Sequence, residues 1–282
     1  MREARRGRLG LLWLAAAILV LWMAGLTGWL VADTLRLVSR VGLAPVLLGF
    51  HFQPQHGRFG LLPFVWGSVV VGVLALVVSV PLGLSWAVVA AKRLPRRASS
   101  AMTTAMAALV AIPSVVWGWW GLETVVPAVR GALGGPGFGL VAAGVTVAIM
   151  VVPTVAALAA ASLRAVPAAL EDASRALGAD EDTTLMAVTL AAARPGITRA
   201  VLMGEARVLA ETMAVAMVVG GQPVARLQIA WPGATLTTGI LTHLAALPPK
   251  SPGGQAVAAM ALLLLAATTW LGRHLRRLGA LS

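Results

Sequence analysis

The sequence predicts an all-α membrane protein with six transmembrane helices, and three observations carry that prediction. Of 282 residues, 59% are hydrophobic and only 11% charged, against about a quarter charged in an average soluble chain. Six apolar stretches, near 9–32, 64–91, 101–126, 138–163, 200–221 and 255–272, are long enough to cross a bilayer core, which takes roughly 20 helical residues. The net charge of +12 is gathered in short basic clusters between those stretches. That is the pattern of loops flanking membrane spans, not of a nucleic-acid-binding face.

Each element follows in order. "MREARRGR" has the look of a secretory n-region, but the apolar run after it exceeds the roughly 7–15 residues of an h-region. It is expected to be a retained first span. Residues 33–63 form a long outer loop in which "PQHGRFGLLP" supplies turn formers. "GGPGFG" at 134–139 lacks a G-K-[ST] continuation, so it is a flexible connection and not a phosphate-cradling loop. The chain contains no Walker A pattern at all. Any ATP and Mg²⁺ are therefore expected on a partner polypeptide, and this chain is expected to bind no cofactor.

The fourth and fifth spans enclose a polar stretch, 164–199, and the chain ends in a basic tail, 273–282. This divides it into an N-terminal span with its loop (1–63), a transmembrane domain (64–272) and the tail. With the N-terminus in the cytoplasm, 15 basic residues fall inside. Six fall outside: Arg36, Arg40, Arg58, Arg130, Arg226 and Lys250. The positive-inside rule then places both termini in the cytoplasm. Arg207 alone is left within a span.

Several chemistries drop out. The absence of cysteine excludes disulfides and thiolate metal sites, and His51, His56, His243 and His274 lack metal-ligand spacing. These histidines are expected at the surface or at interfaces. No nucleophile–base or metal constellation speaks for an intramembrane enzyme. Pro81, Pro113 and Pro153 interrupt apolar helices beside Ser79, Ser114 and Thr154. Broken helices expose backbone N–H groups that bind anions in transporters, though proline kinks are also ordinary in membrane helices. Ser114 and Thr154 are candidate pathway-lining residues on that basis.

The polar stretch reads "LRAVPAALEDASRALGADEDTTLMAVTLAAARPGITRA" and holds five of the ten acidic residues: Glu171, Asp172, Asp180, Glu181 and Asp182. Within it, Pro167 near the start, acids in the early turns and Gly178 as a stop mark a short helix. Ala169, Leu170, Ala173, Ala176 and Leu177 recur at three- and four-residue spacing and give it one apolar face. Either the chain's own spans or a cytoplasmic partner must cover that face.

These residues resemble a known family. "DASRALGA" (172–179) followed by "VTLAAARPGI" (188–197) is similar to the EAA loop of ABC-importer permeases, E-A-A-x-x-x-G and then a hydrophobic run ending in Leu-Pro. Asp172 stands for the motif's Glu, Ala173 and Ser174 for Ala-Ala, Gly178 for its glycine, and Ala191 for the usual proline. "ARVLAETMAVAMVVGG" (206–221) resembles the G-R-A-x-G-E-T-M-A-V-x-M-v-x-G-N segment of phosphate-specific transport (Pst) permeases of the PstC type. Arg207, Glu211, Thr212, Met213, Ala214, Val215, Met217 and Gly220 match in register, while Ala206 and Ala210 replace two glycines. "IPSVVWGWWGL" (112–122) is similar to another span of that family.

The resemblance implies a type I ABC importer permease fold (MetI-like) and a loop that couples to an ATPase through Glu171, Asp172, Ala173, Ser174, Leu177, Gly178 and Ala179. It also implies four partner chains: a second permease (PstA-type), two ATPases (PstB-type) and an extracytoplasmic phosphate-binding protein (PstS-type).

Chemistry sharpens the role of 205–211. On a continuous helix Arg207 and Glu211 share a face, with Glu205 nearly opposite Arg207. An ionised side chain at the bilayer centre costs about 2.5–3.5 kcal/mol on translocon scales. A guanidinium suits an oxyanion because its planar fork bonds two oxygens and stays charged. Glu211 would hold it in place, limit trapping of the anion, or accept a hydrogen bond from monoprotonated phosphate. A structural ion pair, with Arg207 snorkelling, is the competing reading. The expected function is half of the path of an ATP-driven phosphate importer lined by Arg207, Glu211, Thr212, Ser114 and Thr154. The alternatives are a permease for molybdate, tungstate or sulfate, and a non-transporting membrane scaffold or sensor.

Overall fold

A computed structural model describes residues 2–225 and 228–280, with side chains at 12–225 and 228–276. Arg226, and the side chains of Arg2, Arg5, Arg6, Arg8 and Arg277, lie outside the described residues. The described chain is mostly helical, with one two-stranded hairpin and irregular connections between the helices: α1 (Arg2–Val41), α2 (Leu43–Leu48), β1 (Phe52–Gln53), β2 (Arg58–Phe59), α3 (Leu62–Val88), α4 (Arg96–Val110), α5 (Ser114–Trp120), α6 (Val126–Leu133), α7 (Leu140–Arg164), α8 (Ala168–Ala176), α9 (Glu181–Thr183), α10 (Leu190–Ala210), α11 (Met213–Val218), α12 (Leu236–Leu244) and α13 (Pro252–Ala280). Three π-helical turns continue these helices, at Val89–Arg93, Gly121–Val125 and Thr184–Thr189.

Among the described residues, five helices are long and apolar enough to cross a membrane, or up to six if the bent pair Arg96–Val110 and Ser114–Leu133 counts as one span. The first, second, fourth and sixth expected spans fall where hydropathy put them, though α1 continues to Val41 into the expected loop. The other two differ. The third breaks at Ala111–Pro113 with a bend of 90°. Proline has no N–H to continue the helix and pushes its predecessor toward extended backbone. Pro81 and Pro153, expected to interrupt their helices, sit inside unbroken α3 and α7. The fifth span is Glu181–Ala210 instead of 200–221. Most of the polar stretch 164–199 is thus helical, not loop.

The core is built on α3 and α7, of which α7 is the more enclosed, with 67% of its most apolar window buried. Val71, Ala75, Val147, Val151, Val155, Val208 and Val215 form the central cluster. A second cluster around Leu37, Phe52, Phe59, Leu61, Phe64 and Met260 closes the hairpin end. A third, of Ala87, Ala159, Ala160, Leu163, Ala193 and Ala200, closes the opposite end. By contrast only 6% of the α1 window is buried. Small residues bring the helices together: a Cβ on Gly144 would lie 2.6 Å from Leu74 Cβ, and one on Gly83 2.9 Å from the Val155 side chain.

Membrane helices associate through such close packing because lipid offers no hydrophobic drive. Overpacking costs typically about 1–3 kcal/mol. Gly144→Leu is therefore expected to lower the thermal midpoint of the purified protein in detergent. Gly25→Leu on α1, where nothing lies within 4 Å, should leave the midpoint in place.

Candidate functional site

The break in the third span and the end of α10 meet. Arg207 projects from the last turn of α10 and donates through one terminal nitrogen to Thr154 Oγ1 at 3.0 Å. Through the other it donates to the Val110 carbonyl at 3.5 Å. That carbonyl is an acceptor freed by the helix break: in a continuous helix the Ser114 N–H would take it, but α5 starts afresh at Ser114. Thr154 lies 14 residues into the 25-residue α7, a rise of about 21 Å, so the guanidinium sits level with the middle of α7. Arg207, Thr154 and Ser114 are all half-buried. Two of the five pathway candidates, Arg207 and Thr154, are thus brought to one place, and the Val110 carbonyl joins them; Ser114 begins α5 beyond the break.

Glu211 is not the counter-ion of Arg207, contrary to the expectation from their spacing. No Asp or Glu lies within 4.0 Å of Arg207 among the described residues. The physical reason is that α10 stops at Ala210: Glu211 is extended (φ −73°, ψ 127°), so the four-residue helical spacing no longer puts the two on one face. Glu211 Oε1 accepts from the Ala214 N–H at 3.0 Å, satisfying an open donor at the start of α11. Its carbonyl accepts from Thr237 Oγ1 at 2.9 Å. With Ser68, Thr235 and Thr237 it borders a small hydroxyl-lined crevice. Thr212, half-buried, bridges α10 and α11. Glu205 turns away to α3, its Oε1 over Gly72, with Oε2 buried and without a partner.

The second candidate region is the polar connection between α7 and α10. α8 buries none of its residues, and its apolar stripe Ala169, Leu170, Ala173, Ala176 and Leu177 is exposed throughout. Leu177 is 91% exposed. Gly178 ends the helix with φ +88°, a conformation that costs an L-residue about 1–2 kcal/mol. Asp172 is exposed and pairs with Arg175 at 3.0 Å. Ser174 and Glu171, grouped with the exposed candidates by the sequence, point inward. Ser174 Oγ meets Thr184 Oγ1 at 3.0 Å, and Glu171 Oε1 accepts from Lys92 Nζ at 2.6 Å and from Thr189 Oγ1 at 2.8 Å. Ala179 is half-buried in the turn that follows.

The Lys92 hydrogen bond, opposed by burial and helped by Thr189, holds the Glu171 carboxyl below its ordinary value of 4.5. A carboxylate depressed in the folded state stabilises fully above its unfolded value and loses that contribution as pH falls through the folded value. This tie therefore stays intact across the neutral range and opens only in acid.

His243, expected at the surface or at an interface, is half-buried against the Phe52 ring at 4.7 Å. No group of three or more His, Cys, Asp or Glu that could hold a metal occurs among the described residues. The Val110 carbonyl and Thr237 are the site groups that sequence reasoning missed. Pro113 was the available signal for the first; nothing local signals the second.

Comparison with known proteins agrees with this architecture. The family described as "Binding-protein-dependent transport system inner membrane component" matches residues 79–278. The "Probable ABC transporter permease protein YqgH" of Bacillus subtilis is 31% identical over 229 residues, covering 79% of this chain and 74% of that protein. The "Phosphate transport system permease protein PstC 1" of Mycobacterium tuberculosis is 34% identical over 188 residues, covering 60% of this chain and 56% of that protein. The chain thus spans just over half the length of that mycobacterial relative. A solved structure of the MetNI methionine ABC transporter in an inward-facing conformation superposes with a TM-score of 0.56 at 21% identity, covering 81% of this chain and 99% of that one. That likeness shows the fold, a type I ABC importer permease.

Proposed function

This chain belongs to the family of binding-protein-dependent transport system inner membrane components and is an ABC transporter permease, and we propose that it is of the Pst type and that phosphate is what it carries. It forms half of the path, the other half coming from a second permease (PstA-type). Two ATPases (PstB-type) hold ATP and Mg²⁺ and seat on the exposed stripe of α8, and an extracytoplasmic binding protein (PstS-type) delivers the anion. The observation that carries this reading is Arg207, a guanidinium level with the middle of α7 whose contacts are two neutral oxygens. A guanidinium has five N–H donors, so several remain for an oxyanion, and no carboxylate of the described chain neutralises its charge. Neighbours named as phosphate permeases support phosphate over other tetrahedral oxyanions.

The test is restoration of uptake. Cells lacking their own phosphate import should regain uptake of radiolabelled phosphate when this chain is expressed with its partners, and should not when Arg207 is replaced by Gln. Accumulation of sulfate or molybdate in place of phosphate would reassign the substrate.

The reading also fixes orientation, with both termini, α8 and Lys92 in the cytoplasm and the β1–β2 hairpin outside. Gln55 in the hairpin and Thr183 at α9 are both exposed, and the native chain has no cysteine. Gln55→Cys should react with an impermeant thiol reagent applied to intact cells, and Thr183→Cys only after permeabilisation. The reverse pattern would invert the topology.

A further inference from the structure

We propose that Glu171 is a positioning residue, a tie that fastens α8 to the feet of two spans and carries its movement to α10. The proposal rests on the reading that an ATPase seats on α8. The carboxylate is held from two elements distant in sequence. Lys92, 79 residues before it, lies in the π-helical turn Val89–Arg93 that ends the second span. Thr189, 18 residues after it, closes the π-helical turn Thr184–Thr189 that leads into α10. π-Helical turns are rare and concentrate at functional places, and here two of the three face one carboxylate. Arg175 stands 4.0 Å from its other oxygen, and Arg93 and Glu181 line the same cavity.

The rest of α8 gives it little other hold. None of its residues is buried, and among the described residues its one other side-chain hydrogen bond to another element is the Ser174–Thr184 hydroxyl pair. The Glu171 side chain is only 14% exposed, so it lies behind the exposed stripe and not on it. A displacement of α8 therefore reaches Lys92 and Thr189 through this group. From Thr189 the helix runs unbroken through Leu190–Ala210, about 27 Å of rise to Arg207. One side chain thus links the proposed ATPase seat to the helix that presents the guanidinium.

The experiment measures phosphate taken up per ATP hydrolysed by the complete complex in proteoliposomes. Glu171→Gln keeps the side-chain shape and removes the charge. The ratio is expected to fall roughly tenfold, the scale of one lost charge-assisted contact, while the ATPase still co-purifies. The exchanged pair Glu171→Lys with Lys92→Glu should restore much of the ratio; a merely structural role predicts instead that the ratio of Glu171→Gln stays unchanged at matched complex levels. An unchanged ratio in Glu171→Gln would overturn the proposal. If Glu171→Gln does not assemble, Lys92→Gln must show the same fall, and an unchanged ratio there overturns it equally. A wild-type complex without ATP-dependent phosphate uptake would remove the underlying functional reading, and the tie with it. A working wild type with an indifferent Glu171 removes the tie alone.

Discussion

Arg207→Lys should reduce phosphate uptake about ten- to a hundredfold, since one charge-assisted contact to a desolvated anion is worth roughly 1.5–3 kcal/mol. Lysine keeps the charge but not the fork, and a single ammonium cannot hold Thr154 Oγ1 and the Val110 carbonyl as the guanidinium does. Arg207→Gln should be worse still, because the positive charge is gone. The decisive comparison adds Glu211→Gln. If the two residues were a structural ion pair, the doubly neutral chain would recover uptake. The geometry predicts no recovery, since Glu211 caps the Ala214 N–H and is no partner of Arg207. Radiolabelled uptake in proteoliposomes at matched complex levels separates the two. Recovery in the double variant would sink the pathway role.

Leu177→Glu should sever the chain from its ATPase. Leu177 is 91% exposed at the end of α8, and burying a leucine in a partner's groove stabilises by about 1.5–3 kcal/mol. Losing that burial weakens association by roughly ten- to a hundredfold, and the introduced carboxylate adds a desolvation cost. Membrane insertion should be unaffected because Leu177 touches no buried part of the fold. Co-purification of the ATPase at normal stoichiometry with the Leu177→Glu chain would show that the exposed stripe is not its seat. Gly178→Val is a second approach to the same seat, since its φ of +88° penalises a β-branched residue and should distort the turn.

What the sequence made legible follows from locality. Hydropathy is a property of neighbouring residues, so four spans and the apolar stripe of α8 could be read from it directly. Proline placement could not. Pro153 lies in α7, which packs closely on α3 and the central cluster, whereas α4 and α5, either side of Pro113, bury only Met106 and Gly118. The Arg207–Glu211 pairing assumed that a helix continues through 211. It stops where Thr237, 26 residues later, reaches the Glu211 carbonyl, a contact no local pattern reveals. Glu171 was grouped with the docking residues for the same reason: its partner Lys92 is 79 residues away. The candidate residue types are legible in the sequence; the partners that orient them come from the tertiary fold.

The most direct measurement of the central claim is competition for uptake. The purified complex in proteoliposomes, loaded with its binding protein and ATP, should accumulate radiolabelled phosphate only when ATP hydrolysis is allowed. Excess unlabelled phosphate should displace the label, and sulfate and molybdate should not. A complex that accumulates sulfate or molybdate while ignoring phosphate would contradict the account.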